Sequence, residues 1–117
     1  MLEKRAYLIL LFDFYGALLT EKQRLMFDLY YQYDLSLGEI AQEQNISRQA
    51  VYDIIKRSEN ILEEYENKLQ LVNRFQNNKE KLQTALLLIK EIAIIENNNM
   101  TNLSELKEII KDVINEN

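Results

Sequence analysis

The chain has no cysteine, no histidine, no tryptophan and no proline, and only two glycines, Gly16 and Gly38, in 117 residues. Without cysteine there are no disulfides and no thiolate metal sites, a usage that fits a reducing cytoplasm. Without histidine or cysteine, general acid–base work would fall to Asp, Glu, Lys or Tyr. The densest carboxylates, Glu63, Glu64 and Glu66, read as a charge run on a solvated helix face. There is no glycine-rich loop for phosphate, no zinc-ligand cluster and no calcium-loop pattern. The expectation is therefore no catalytic residue, no metal and no cofactor: not an enzyme.

Long apolar runs are missing as well. "AYLILLF" runs straight into Asp13 and lacks a small-residue cleavage site, so a signal peptide is not expected. "ALLLIKEIAII" is short and contains Lys90 and Glu91, which rules it out as a membrane span. A soluble, cytoplasmic protein without membrane insertion is expected.

What remains is 47% hydrophobic residues in a background of Leu, Ile, Glu, Lys, Gln and Asn, which favours helix throughout. The fold class expected is all-α. Net charge is −5, which argues against indiscriminate coating of nucleic acid. Its distribution is uneven. Residues 47–58 hold Arg48, Lys56 and Arg57 against Asp53 alone, whereas residues 61–117 hold ten acids and seven bases.

Leu8, Leu11, Phe12, Tyr15, Leu18 and Leu19 recur at three- and four-residue steps and predict an amphipathic first helix. Thr20 and Gln23 have capping-box spacing for a second helix, with Leu25, Met26, Leu29 and Tyr30 facing inward. Ser36 and Glu39 repeat the box, flanked by Leu35 and Ile40 at the hydrophobic-staple positions, and start a short helix over 37–44. Asn45 suits a left-handed exit, and Ser47 caps the next helix, with Ile46 and Val51 as a second staple. Two helices joined by so tight a turn make a helix–turn–helix.

No stop signal follows until about Asn77. Val51, Ile55, Ser58, Leu62, Tyr65, Leu69 and Val72 repeat at alternating steps of four and three, a heptad seam broken at Ser58. A helix of that length would run about 40 Å. Its stripe, of which Leu62, Tyr65, Leu69 and Val72 lie beyond the head, calls for a cover: the same helix of a second chain, or a fifth helix folding back. That fifth helix is expected over about 80–96, carrying Leu82, Ala85, Leu86, Ile89, Ile92 and Ala93 on one side. After the polar break "ENNNMTN", Asn102 and Glu105 suit the cap of a last helix with Leu106, Ile109, Ile110 and Val113 apolar. The Asn-rich break and the final "NEN" are expected to be flexible. The resulting organisation is a head over residues 1–60 and a helical packing or dimerisation region over 61–117.

Within the motif, Ile40, Ala41, Ile46, Val51 and Ile54 are expected to form the buried seam. Arg48, Gln49, Tyr52 and Asp53 fall on the outer face near the start of the second helix, the part that meets base edges, and the amide ends at Ser47 favour a phosphate. Arg48 suits guanine and Gln49 adenine. Lys56 and Arg57, further along, suit phosphates. The bland alternative is a merely solvated helix face. Tyr30, Tyr31 and Tyr33 could stack on unpaired bases, or serve as core bulk in a head without Trp. With few local cations per chain, tight binding would need two heads about 34 Å apart, one DNA turn.

"LLTEKQRLMFDLYYQYDLSLGEIAQEQNISRQAVYDIIKR", followed by "LEEYENKL", closely resembles the YlxM family of small bacterial helix–turn–helix proteins, over about residues 7–75. The head is also similar to region 4 of bacterial sigma factors, which shares an "LT-x-x-QR" helix before its DNA-reading pair. The resemblance implies a homodimer with a sigma-like head and a regulatory role near the signal recognition particle GTPases, a role inferred from gene neighbourhood. The matching motif positions are Ser47, Arg48, Gln49, Ala50, Val51, Tyr52 and Asp53. From about residue 76 no comparable signature is seen. Three readings stay open: a nucleic-acid-binding regulator of that pathway, with DNA favoured over RNA; a protein-interaction module that docks on the particle's GTPase without DNA; and a sigma-like transcription regulator unrelated to secretion.

Overall fold

The computed structural model describes residues 3–96 and 101–115, and every regular element in them is helical. The order is α1 (Lys4–Tyr15), a 3₁₀ turn (Gly16–Leu18), α2 (Glu21–Tyr31), α3 (Leu37–Gln44), α4 (Arg48–Leu69), α5 (Leu71–Glu96) and α6 (Thr101–Asn115). The expected all-α class with a helix–turn–helix head is the fold. The chain divides into two compact units, Met1–Val72 and Asn73–Asn117.

In the first unit α4 is the central element, with α1, α2 and α3 each packed on it. One cluster joins Leu8, Leu11 and Tyr15 of α1 to Leu19, Phe27, Leu62 and Val72. A second joins Met26 to Ile40, Ala41, Val51 and Ile55, and it binds the two helices of the motif together. The Phe12 and Phe27 rings stack at 4.6 Å, and Tyr31 lies 4.5 Å beyond Phe27. Arg5 ties the α2–α3 connection down. Its guanidinium donates to the Tyr31 carbonyl at 2.7 Å, pairs with Asp34 and lies over the Tyr31 ring.

Several expectations change. The first helix stops at Tyr15, so Leu18 falls on the 3₁₀ turn and is exposed, while Leu19 alone returns to the core. On α2 Met26 is buried and Leu29 and Tyr30 pack against the same cluster as expected, but Phe27 is also buried and Leu25 is exposed. The largest change is at Gln70. The fourth helix ends at Leu69 instead of running to Asn77, because Gln70 adopts the left-handed conformation (φ 56°, ψ 28°). Glutamine gives no such warning in sequence; the stop is made by tertiary contacts.

The Gln70 backbone N–H donates to the Glu66 carbonyl at 2.8 Å, and its side-chain amide covers the same carbonyl at 2.9 Å. Beyond the corner, the free N–H groups that open α5 find partners in the core. Val72 N–H donates to Glu66 Oε1 at 3.0 Å and Leu71 N–H donates to the Tyr15 hydroxyl at 3.1 Å. The corner turns Val72 into the same cluster as Leu62. The heptad seam is thus consumed within the chain: Val51, Ile55, Ser58, Leu62 and Val72 are buried, Tyr65 packs on Tyr15, and Leu69 is left exposed. The polar break at Ser58 costs nothing, since its hydroxyl donates to the Ile54 carbonyl at 2.8 Å.

The fifth helix already begins at Leu71, not near residue 80, and runs into the second unit, where Ile92 is exposed. Asn102, expected as a cap, lies inside α6, where Leu106, Ile109 and Val113 are exposed and Ile110 is buried. The flexibility expected of the Asn-rich break and of the chain end falls largely outside the described residues.

Candidate nucleic-acid interface

The interface is built on two capped helices. Ser36 Oγ accepts from the Glu39 N–H at 3.1 Å, and Glu39 Oε1 accepts from the Ser36 N–H at 3.0 Å. The Ser36 backbone bond, then its hydroxyl, hold the Glu39 carboxyl below the usual carboxylate range. Asn45 is left-handed at φ 56° and ψ 44°, and the next N–H, of Ile46, reaches back to the Ala41 carbonyl at 3.1 Å. That wrap presses Ile46 onto the Ile40–Val51 cluster. Ser47 Oγ then accepts from the Ala50 N–H at 3.0 Å and opens α4. Each local signal for the turn has the geometry expected of it.

With Val51 and Ile55 buried, the other side of α4 must face out. Ser47, Arg48, Gln49, Tyr52, Asp53, Lys56 and Arg57 are all exposed. They are not equivalent. Gln49, Asp53 and Lys56, at steps of four and three, share the crest. Arg48 leans toward α3, where its Nε lies 3.6 Å from the position a side chain on Gly38 would start. Arg57 leans the other way, into a cleft shared with Thr20, Lys22 and Gln23 at the start of α2. Arg48 and Arg57 are about 14 Å apart along the axis, close to the roughly 12 Å width of a major groove.

The cations differ in their freedom. Arg5 and Arg24 are held by carbonyls within the head. Lys56 is drawn to the Glu59 carboxylate at 3.7 Å, and Glu59 also accepts from the Tyr31 hydroxyl at 2.8 Å. Among the described residues, Arg48, Arg57 and Lys22 make no ion pair. Asp53 Oδ1 accepts from the Gln49 amide at 2.9 Å, which fixes which end of that amide faces it. One amide hydrogen and the carbonyl oxygen of Gln49 remain for a ligand.

Of the three tyrosines, Tyr31 is core bulk, with Tyr30 edge-on to it at 5.0 Å, and Tyr33 is exposed. Sequence reasoning missed Lys22 because nothing local marks it; it comes beside Arg57 only through the packing of α2 on α4. Among the described residues no helix is long and apolar enough to cross a membrane, and no cluster of acidic side chains could hold a metal ion.

Residues 2–109 match the UPF0122 family, described as "Putative helix-turn-helix protein, YlxM / p13 like". The match runs well past residue 76, so the second unit belongs to the family although its sequence carries no comparable motif. The chain is 56% identical over 91 residues to UPF0122 proteins of Bacillus thuringiensis (strain Al Hakam), Bacillus cereus (strain 03BB102) and Bacillus anthracis (strain A0248). In each case the alignment covers 78% of this chain and 83% of the relative. The chain belongs to the UPF0122 family of YlxM/p13-like helix–turn–helix proteins.

Proposed function

We propose that this chain is a non-enzymatic regulator that binds duplex DNA by laying the exposed side of α4 in the major groove. One observation carries the reading: Arg48, Gln49, Tyr52, Lys56 and Arg57 stand exposed together on a helix whose start is fixed by a capped turn. Gln49 and Asp53 on the crest face base edges, Arg48 reaches a guanine from the α3 flank, and Arg57 takes a phosphate. Ser47 caps the end that approaches the backbone. RNA is the less favoured ligand, because a helix fits the wide major groove of DNA better than the deep, narrow one of RNA.

Two heads are required for tight binding with so few cations, and a homodimer supplies them. Since Leu62, Tyr65 and Val72 pack within the chain, Leu69 and the exposed apolar residues Leu87, Leu88, Ile94 and Ile109 are the better candidates for that contact. The regulatory setting proposed is the signal recognition particle pathway in the cytoplasm.

A second reading has its own support. The net charge of −5 and the exposed apolar side chains of the second unit suit a protein that docks on the particle's GTPase without touching DNA. A sigma-like regulator unrelated to secretion would share the head and differ only in its target sites. Fluorescence anisotropy with duplex DNA at two salt concentrations separates the first reading from the docking one. DNA binding gives a log–log salt slope of roughly −0.9 per phosphate neutralised. Absence of binding at low salt, with copurification of the GTPase after nuclease treatment, would replace it by docking.

A further inference from the structure

Beside α4 runs a cleft of about 440 Å³, open to solvent, between the first turn of α2 and the flank of α4 that carries Ala50, Ile54 and Arg57. Its lining has two characters. The α4 wall offers the methyl groups of Ala50 and Ile54, and the rim offers two cations, Lys22 and Arg57. The Thr20–Gln23 capping box already occupies the Thr20 and Gln23 backbone N–H groups. The side chains that line the cleft offer an anion the charges of Lys22 and Arg57.

An apolar wall beneath separated cations is the complement of a sugar–phosphate strand, whose sugar face is carbon-rich and whose charges recur at each nucleotide. We propose that this cleft seats one backbone strand of a DNA duplex, with the deoxyribose against Ala50 and Ile54 and adjacent phosphates on Lys22 and Arg57. The assignment rests on the reading of α4 as the DNA-contacting helix and adds to it a second element, α2, and a residue outside the motif, Lys22. The strand in the cleft and the α3 flank with Arg48 then straddle α4, so the crest residues Gln49 and Asp53 point between the two backbones. Asp53 also borders the cleft, but its carboxylate is engaged by the Gln49 amide on the crest side. Contacts of this kind position a protein on the duplex without reading its sequence.

The test uses a fluorescein-labelled duplex pool of random sequence, so that no target site need be known. Anisotropy titrations over a range of salt compare the full chain with Lys22→Ala, Lys22→Ala/Arg57→Ala and, as a control in the other unit, Lys107→Ala. The expected result is a salt slope shallower by about 1 for the single variant and about 2 for the double. Lys107→Ala and the helical circular dichroism of all variants stay unchanged. A Lys22→Ala slope equal to that of the unaltered chain, which itself binds, overturns the cleft assignment and leaves the α4 reading standing. An equal loss in Lys107→Ala overturns it too, as a general charge effect. Failure of the unaltered chain to bind the pool at low salt removes both. A slope change seen only with duplex RNA of random sequence overturns the assignment to DNA.

Discussion

Tyr15 donates its hydroxyl to Glu66 Oε1 at 2.6 Å across fifty-one positions of sequence, and both side chains are buried. The same two groups accept the N–H groups of Leu71 and Val72, so one phenol and one carboxylate hold the corner between α4 and α5. Tyr15→Phe takes one donor from the buried Glu66 carboxylate, which keeps the Val72 N–H, and removes the hydroxyl that accepts the Leu71 N–H. The expected cost is about 1–3 kcal/mol in a urea titration, with the midpoint falling and the slope unchanged. An unaltered midpoint would mean that the network does not hold the corner.

The local signals were legible and the tertiary ones were not. Thr20–Gln23, Ser36–Glu39, Asn45 and Ser47 mark their helix ends within four residues of sequence, and the structure has all of them. The end of α4 at Leu69 could not be read, because Gln70 is an ordinary helix residue and the corner it makes is held by Tyr15, more than fifty residues earlier, through Glu66 and the Leu71 N–H. The outer side of α4 was legible from the spacing of Val51 and Ile55. Lys22 was not, since its place beside Arg57 follows from how α2 packs on α4.

The caps give a second prediction. Ser36→Ala removes the oxygen that accepts the Glu39 N–H and opens the first turn of α3. The expected loss is about 1 kcal/mol, read as a lower thermal midpoint. A midpoint matching that of the unaltered chain would show that the Glu39 half of the box suffices.

Alkaline pH should weaken the fold through its phenols. Burial, then the Glu59 carboxylate that accepts its hydrogen, push the Tyr31 hydroxyl well above its usual value, and burial and Glu66 raise Tyr15 likewise. A raised folded value means the fold holds the proton that an unfolded chain would release. The stability contributed is complete below about pH 10 and is lost as pH rises through the folded values. In chemical denaturation from pH 8 to 11.5, Tyr31→Phe should begin less stable and decline less steeply. Parallel declines would contradict the assignment.

Asp53 presents a different test, since it is an acid among the cations of α4. Asp53→Ala removes a charge that repels phosphate and releases the Gln49 amide it holds. Binding to random duplex DNA should tighten by on the order of 1 kcal/mol, while preference among sequences narrows. Tighter binding with undiminished preference would mean that Asp53 does not orient Gln49.

The most direct measurement compares the unaltered chain and Arg48→Ala by anisotropy on a duplex selected for tight binding, with helical content checked by circular dichroism. Arg48 is exposed, so its removal leaves the packing of the head intact. The account predicts a loss of about 1–3 kcal/mol on the selected duplex and a smaller loss on a scrambled one. Equal affinity of the two proteins for the selected duplex would contradict the placement of α4 in the groove.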